Sequence, residues 1–212
     1  MAYFYFLAQT DLPPGITQEI INTCEHYPTE TQNATVRTTD PDTGLVNPNV
    51  RSSKVKWLPS ACWVPSFIWY YIKKANEHNF MYDLTDFDDD CLQYTTYNEG
   101  DYYHWHDDHS LDNDRVKLFD FPFSSSQQNP DPYTFHSTNL VRKLSFSLLL
   151  STPGEDFTGG QLQFHNCKGV STPDMKLGTL IVFDSTIQHR VKKVTSGTRK
   201  SLVGWAIGPR WK

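Results

Sequence analysis

Between Tyr97 and His109 the chain reads YNEGDYYHWHDDH, with three histidines and two consecutive aspartates in its last six positions. A single His189 follows about 80 residues later, and ten positions beyond it stands Arg199. Imidazole nitrogens and carboxylate oxygens are donors that divalent first-row metals accept, and a guanidinium fork matches a carboxylate. On an extended strand, side chains alternate faces at about 3.3 Å per residue, which puts His106 and Asp108 on one side, about 6.6 Å apart along the chain. One cation fits between them, and a third donor must then come from another strand. Two histidines and one carboxylate on one face of an octahedron leave three positions open, a set suited to non-haem ferrous iron. His189 is the candidate for that third donor, with Arg199 behind it as an anion clamp.

Three ligand sets compete within YYHWHDDH: His106 with Asp108, His104 with His106, and a zinc-like group of His104, His106 and His109. Alternation puts His104, His106 and Asp108 on one face and Asp107 and His109 on the other, which disfavours the zinc group. A solvated cluster without metal is the bland alternative. Taken alone, His189 reads as an ordinary surface or core histidine, and Arg199 as a strand-surface ion pair.

The elements that must position these residues follow from periodicity. The 212 residues suffice for one large domain with a sizeable core. A strand-like run at Tyr3 to Leu7 opens the chain. Thr17 to Tyr27 places Ile20, Ile21 and Cys24 at helical spacing behind a threonine that could cap them. Residues 28 to 50 have loop composition. Pro65 to His78 predicts a second helix, with apolar residues at Phe67, Ile68, Tyr71 and Ile72. From Cys91 onward the signal is short strands: Cys91 to Tyr97, Tyr103 to Asp108, Arg142 to Ser151, Gln161 to His165, Gly178 to Phe183, Arg190 to Val194 and Ser201 to Ile207. The pattern is mainly β, a double-sheet jelly roll supported by N-terminal helices, read as one domain with a helical support region at 1–90 and a β core at 91–207. Ser110 to Leu140 is too long for a hairpin loop and could form a lid.

A net charge of -5 argues against a protein that holds nucleic acid by general phosphate attraction. Four cysteines at 24, 62, 91 and 167 have no CxxC spacing, which points to reduced, mostly packed thiols. With no signal-peptide pattern and no apolar run near 18 residues, a soluble, cytoplasmic protein without a membrane segment is expected. The 14% aromatic content stocks a core or a surface patch equally and fixes no oligomeric state.

YNEGDYYHWHDD resembles the Tyr-x-x-Gly-x-x-Tyr-x-x-His-x-Asp motif of Fe(II)- and 2-oxoglutarate-dependent oxygenases of the prolyl 4-hydroxylase type, with Tyr97, Gly100, Tyr103, His106 and Asp108 in register. HRVKKVTSGTRKSLVGW is similar to that family's second motif at His189, Val191, Val194, Gly197, Arg199, Ser201 and Trp205. DFTGGQLQF and GTLIVFDS resemble its intervening strands, and a weaker likeness lies upstream in VRSSKVKWLP. The resemblance covers roughly residues 91 to 207 and favours His106 over His104. It implies a double-stranded β-helix with Fe(II) held by His106, Asp108 and His189, and Arg199 on the distal carboxylate of 2-oxoglutarate. Ser201 would assist that carboxylate, Tyr97 would line the cosubstrate pocket and Trp205 would stand beside the metal. It further implies O2 as co-reactant, ascorbate as a supporting reductant, succinate and CO2 as products, and a proline-containing peptide or protein as substrate. Tyr133, Phe135 and His136 could contact that substrate. Hydroxylation of a free amino acid or other small molecule, demethylation of nucleobases, and a metal-binding jelly roll without oxygenase activity are the alternatives.

Overall fold

The computed structural model describes residues 7–35, 46–88, 91–109, 140–167 and 169–209. Two helices and three sheets make up this part. In chain order the elements are β1 (Leu7–Asp11), α1 (Pro14–His26), β2 (Gln32–Asn33), β3 (Arg51–Ser52), β4 (Lys54–Pro59), α2 (Trp63–Ala75), β5 (Asp86–Phe87), β6 (Cys91–Tyr97), β7 (Tyr102–His106) and β8 (Leu140–Leu149). They continue with β9 (Phe157–Gly159), β10 (Leu162–Asn166), β11 (Gly169–Ser171), β12 (Thr179–Asp184), β13 (His189–Val191), β14 (Val194–Gly197) and β15 (Arg199–Pro209). The large sheet runs β1-β12-β8-β15-β6-β4-β2, with β5 also on β15, and the small sheet runs β11-β10-β13-β7-β3. β14 pairs with β9 apart from both. This is the expected jelly roll.

The large sheet is covered on both faces, and its strands carry the mark of that. Along β12, Leu180 and Val182 join the cluster that includes Ile20, Cys24, Ile68 and Ile72 from the helices, while Ile181 and Phe183 join a second cluster with Phe164 and Val191 from the small sheet. With apolar partners on both sides, alternation between water and core gives way to a continuous apolar run. β15 divides its faces differently: Leu202 and Ala206 pack toward the helices, whereas Arg199, Ser201, Val203 and Trp205 line a cavity between the sheets.

Several boundaries differ from the sequence expectation. Thr17 does not cap α1, which begins three residues earlier with Pro14 at its start; the Thr17 hydroxyl donates to the Pro13 carbonyl from inside the helix. α2 begins at Trp63, so Pro65 lies in the first turn, where a missing N–H costs no helical bond. It runs into a π-turn at Asn76–Phe80. The support region also contributes strands, since β1 and β4 join the large sheet and β3 the small one. The run expected at Arg190 to Val194 is two short strands in different sheets. Of the opening run only Leu7 is described. The possible lid, with Tyr133, Phe135 and His136, lies outside the described residues apart from Leu140. Cys24 and Cys62 are buried, and none of the four cysteines forms a disulfide, although Cys167 is exposed. No described helix is long and apolar enough to cross a membrane.

Candidate metal and anion site

β7 and β13 pair antiparallel so that His106 and His189 stand opposite each other, with ring centroids 4.1 Å apart. β7 ends at His106, two residues short of the expectation, and Asp108 is fixed differently: the N–H groups of Asp108 and His109 both donate to the Ser185 carbonyl at 2.9 Å. That anchor turns the carboxylate back between the imidazoles, with Oδ1 3.9 Å from His106 Nε2 and Oδ2 3.5 Å from His189 Nε2. The donor atoms of the three residues lie within 4.8 Å of one another, and they form the one such group among the described residues. Imidazole nitrogens and carboxylate oxygens bind metals at about 2.0–2.2 Å, so two donors on one ion stand at most about 4.4 Å apart. Both carboxylate separations meet that bound.

The histidines are held in the tautomer that a metal needs. His106 Nδ1 lies 2.7 Å from the His104 carbonyl and His189 Nδ1 3.0 Å from the Ile187 carbonyl. A carbonyl only accepts, so each Nδ1 carries the proton and each Nε2 keeps its lone pair toward the cluster. Burial, reinforced by the neighbouring His189, holds His106 down at about 3, so its ring is neutral at physiological pH. Burial works against the Asp108 carboxylate, yet His189, His106 and Arg142 and a hydrogen bond from Ser145 keep its carboxyl below the usual range. Two imidazole Nε2 donors and one carboxylate fit a divalent ion.

The spacing argument fails at one point. Simple alternation puts His104 beside His106, but His104 is exposed, with its ring edge-on to Tyr102 at 5.3 Å. The cause is a bulge: His189 pairs with His106 and Val191 with Tyr103, so two steps along β13 answer three along β7. The extra residue brings Tyr103 and His106 to the cavity side together, and their rings stack at 3.5 Å. His109, expected to point away, lines the cavity as well, with Nδ1 3.3 Å from the Arg142 carbonyl, but stands outside the donor group.

The cavity that His106, Asp108 and His189 line holds about 270 Å³, near the lower end of small-molecule pockets at roughly 300–1,000 Å³. Arg199 lines it from the large sheet, 2% exposed, and its Nη1 donates to Ser201 Oγ at 2.9 Å. Tyr97, its register partner on β6, sets its ring 5.5 Å from the guanidinium carbon. Burial pulls the Arg199 pKa down, and no described carboxylate pairs with it. A buried cation without a counter-charge is costly, which makes it a place for an anionic ligand. Trp205 lines the cavity under Arg142, whose guanidinium lies 3.8 Å above the indole and whose charge is taken by Asp88 at 2.5 Å. Arg142 and Arg51 are lining residues that sequence reasoning left unassigned; Arg51 stands in the weakly matching VRSSKVKWLP stretch.

Comparison with known proteins agrees with this geometry. The family model described as 2OG-Fe(II) oxygenase superfamily matches residues 92–207. A PKHD-type hydroxylase of Acaryochloris marina is 47% identical over 62 residues, 29% of this chain and 28% of the relative. One from Prochlorococcus marinus is 36% identical over 102 residues, 42% of this chain and 45% of the relative. The chain thus aligns with less than half the length of these curated relatives. A Pseudomonas putida prolyl-4-hydroxylase has the same fold, with a TM-score of 0.65 at 20% identity, covering 99% of this chain and 95% of that one. A Trichoplax adhaerens prolyl hydroxylase solved with a hypoxia inducible factor peptide fragment gives 0.66 at 17% identity, covering 96% and 84%. With the family match spanning more than half its residues, the chain belongs to the 2OG-Fe(II) oxygenase superfamily.

Proposed function

We propose that the protein hydroxylates prolyl residues in a peptide or protein, consuming 2-oxoglutarate and O2 and releasing succinate and CO2. The reading is carried by one observation: the His106, Asp108 and His189 donors and the unneutralised Arg199 line the same cavity. In it His106, Asp108 and His189 hold Fe(II), and the Arg199 guanidinium grips the distal carboxylate of 2-oxoglutarate through two charge-assisted bonds. Ser201 orients that guanidinium by accepting one of its N–H groups. Tyr97 and Trp205 wall the cosubstrate and metal ends and exclude water. Bound there, ferrous iron would supply the oxidising chemistry, in which one oxygen atom of O2 enters a substrate C–H bond and the other enters succinate. The side chains bind, orient and keep water out.

The prolyl substrate is favoured by the PKHD-type hydroxylase relatives and the prolyl hydroxylase fold neighbours. The whole chain would act as a single oxygenase domain, in the cytoplasm, where cysteines without disulfides and ferrous iron persist and ascorbate keeps the iron reduced. The test is incubation with Fe(II), ascorbate, 2-oxoglutarate and a proline-rich peptide panel, read as succinate release and as a product heavier by one oxygen atom. Asp108→Ala and His189→Ala should abolish both in protein that remains folded. Full turnover in either variant at saturating iron would overturn the assignment.

A further inference from the structure

The cavity has a second walled-in guanidinium, carried by the other sheet than Arg199. Arg51 is 7% exposed and lines the cavity from β3 of the small sheet, whereas Arg199 enters from β15 of the large one. Its Nε donates to Ser53 Oγ at 3.0 Å and its Nη1 reaches the Thr35 carbonyl at 3.5 Å, so its polar contacts among the described residues are neutral. The described acids nearby are occupied elsewhere. Asp101, across the β3–β7 pair, accepts from the Ser52 hydroxyl and the Asn98 N–H. Asp88 takes Arg142, and Asp108 faces the two histidines. Asp107 is exposed at the cavity edge and makes no ion pair with Arg51. The Arg51 guanidinium carbon lies 4.7 Å from the centre of the Tyr103 ring, which in turn stacks on the His106 ring at 3.5 Å. A full charge in the wall, two stacked groups from a metal donor and faced by neutral partners, is a costly arrangement without an anion to meet it.

We infer that Arg51 is a specificity-determining residue that takes a carboxylate carried by the substrate peptide within two or three residues of the hydroxylated proline. The inference rests on the peptide hydroxylase function proposed above and adds the charge class of its substrate. The reach follows from the stack, because an extended peptide advances about 3.3 Å per residue. The cosubstrate does not use this cation: its distal carboxylate is assigned to Arg199 of the large sheet.

The test uses the protein loaded with Mn(II) in place of iron and with 2-oxoglutarate, so that binding is measured without turnover. The probes are short proline peptides with glutamate scanned from three residues before the proline to three after it, each beside its glutamine counterpart. Calorimetry on the wild type should show at least a tenfold preference for glutamate in one register, as a charge-assisted hydrogen bond gives. Arg51→Gln should abolish the preference, Arg51→Lys should keep part of it, and Arg51→Glu should transfer it to a further peptide with lysine in that register. The affinity of Arg51→Gln for 2-oxoglutarate should match the wild type, which also reports an intact fold. The inference is overturned if the wild type treats glutamate and glutamine peptides alike in every register, including by binding neither. It is equally overturned if Arg51→Gln weakens both peptides equally or weakens the cosubstrate. A glutamate peptide bound through Arg51 but never hydroxylated with iron present would sink the hydroxylase function and leave the carboxylate site standing.

Discussion

Arg199→Met separates a binding residue from a structural one, because the two roles predict opposite signs. Arg199 is 2% exposed, donates to Ser201 and has no described carboxylate beside it. In the cosubstrate-free protein its charge is therefore a burden, and exchanging buried charged groups for apolar ones of similar volume is neutral or stabilising by about 1–4 kcal/mol. Against this, the Ser201 hydroxyl loses its donor, which returns about 1 kcal/mol at the low end for a stranded polar group. The net expectation is a variant as stable as the parent or up to about 3 kcal/mol more so, read from urea unfolding of metal-free protein. Cosubstrate binding should move the other way. Leaving a buried carboxylate without its guanidinium costs about 3–5 kcal/mol, and with tenfold per 1.4 kcal/mol the KM for 2-oxoglutarate should rise roughly 10²- to 4 × 10³-fold. If Arg199→Met instead unfolds several kcal/mol more easily while the KM stays put, Arg199 is a structural ion and the clamp assignment is wrong.

Acid should destabilise the metal-free protein, and His106 supplies the first part of the slope. Its folded pKa of about 3 lies below its unfolded value of 6.5, so between those limits the unfolded chain binds the extra proton, and stability falls as pH is lowered at about 1.4 kcal/mol per unit. Asp108, held below its ordinary value, acts in the same direction: its contribution is present above the unfolded pKa and is lost as pH falls through the folded one. Urea titrations from pH 7 to 4 should show this slope, and His106→Leu should flatten it; an equal slope in that variant rejects the assignment. His104→Ala should leave Mn(II) affinity within about twofold of the wild type, while His106→Ala should lose binding by calorimetry; the reverse result would return the site to simple strand alternation. Gly204→Ala should cost about 1–3 kcal/mol in urea unfolding, because a Cβ there would lie 2.7 Å from both Leu92 and Phe146 in the packed face under the helices. An unchanged midpoint would mean that this face yields.

Much of the fold was legible because its strands are strong local patterns. Cys91–Tyr97 came out with both ends in place, and the strands around Leu144, Ile181 and Leu202 came out within a few residues, since each is a run of β-branched, aromatic or leucine residues. Apart from the six-residue β4, what escaped was short. Arg51–Ser52 and Gln32–Asn33 are two-residue strands that exist only because a neighbouring strand offers hydrogen-bond partners, and nothing in their own composition announces pairing. Sequence separation hid the rest: Arg142 reaches the cavity where β8 and β15 slip register between Ala206 and Ile207, a property of two strands rather than of either one.

The β7 bulge brings the proposed donor set together where strand alternation alone justified it incompletely. Period-two alternation requires an unbroken ladder, and on that premise His104, His106 and Asp108 would share a face. The ladder is broken on both sides of His106: an extra residue before it turns His104 out to solvent, and the end of β7 after it leaves Asp108 to be aimed by the Ser185 carbonyl. A His-x-Asp pair therefore converges here because a bulge and an anchored turn position it, and the strand alone would have offered the wrong histidine equally well. The same bulge brings Tyr103 against the His106 ring and Arg51 against Tyr103. One inserted residue thus brings His106 rather than His104 into the proposed donor group and builds the stacked wall that carries the second cation. Deleting Trp105, the residue inside the irregular stretch, should cost metal binding and Arg51-dependent peptide selection together, whereas Trp105→Phe should cost neither. Loss of one property without the other in the deletion would show that the two features are independent.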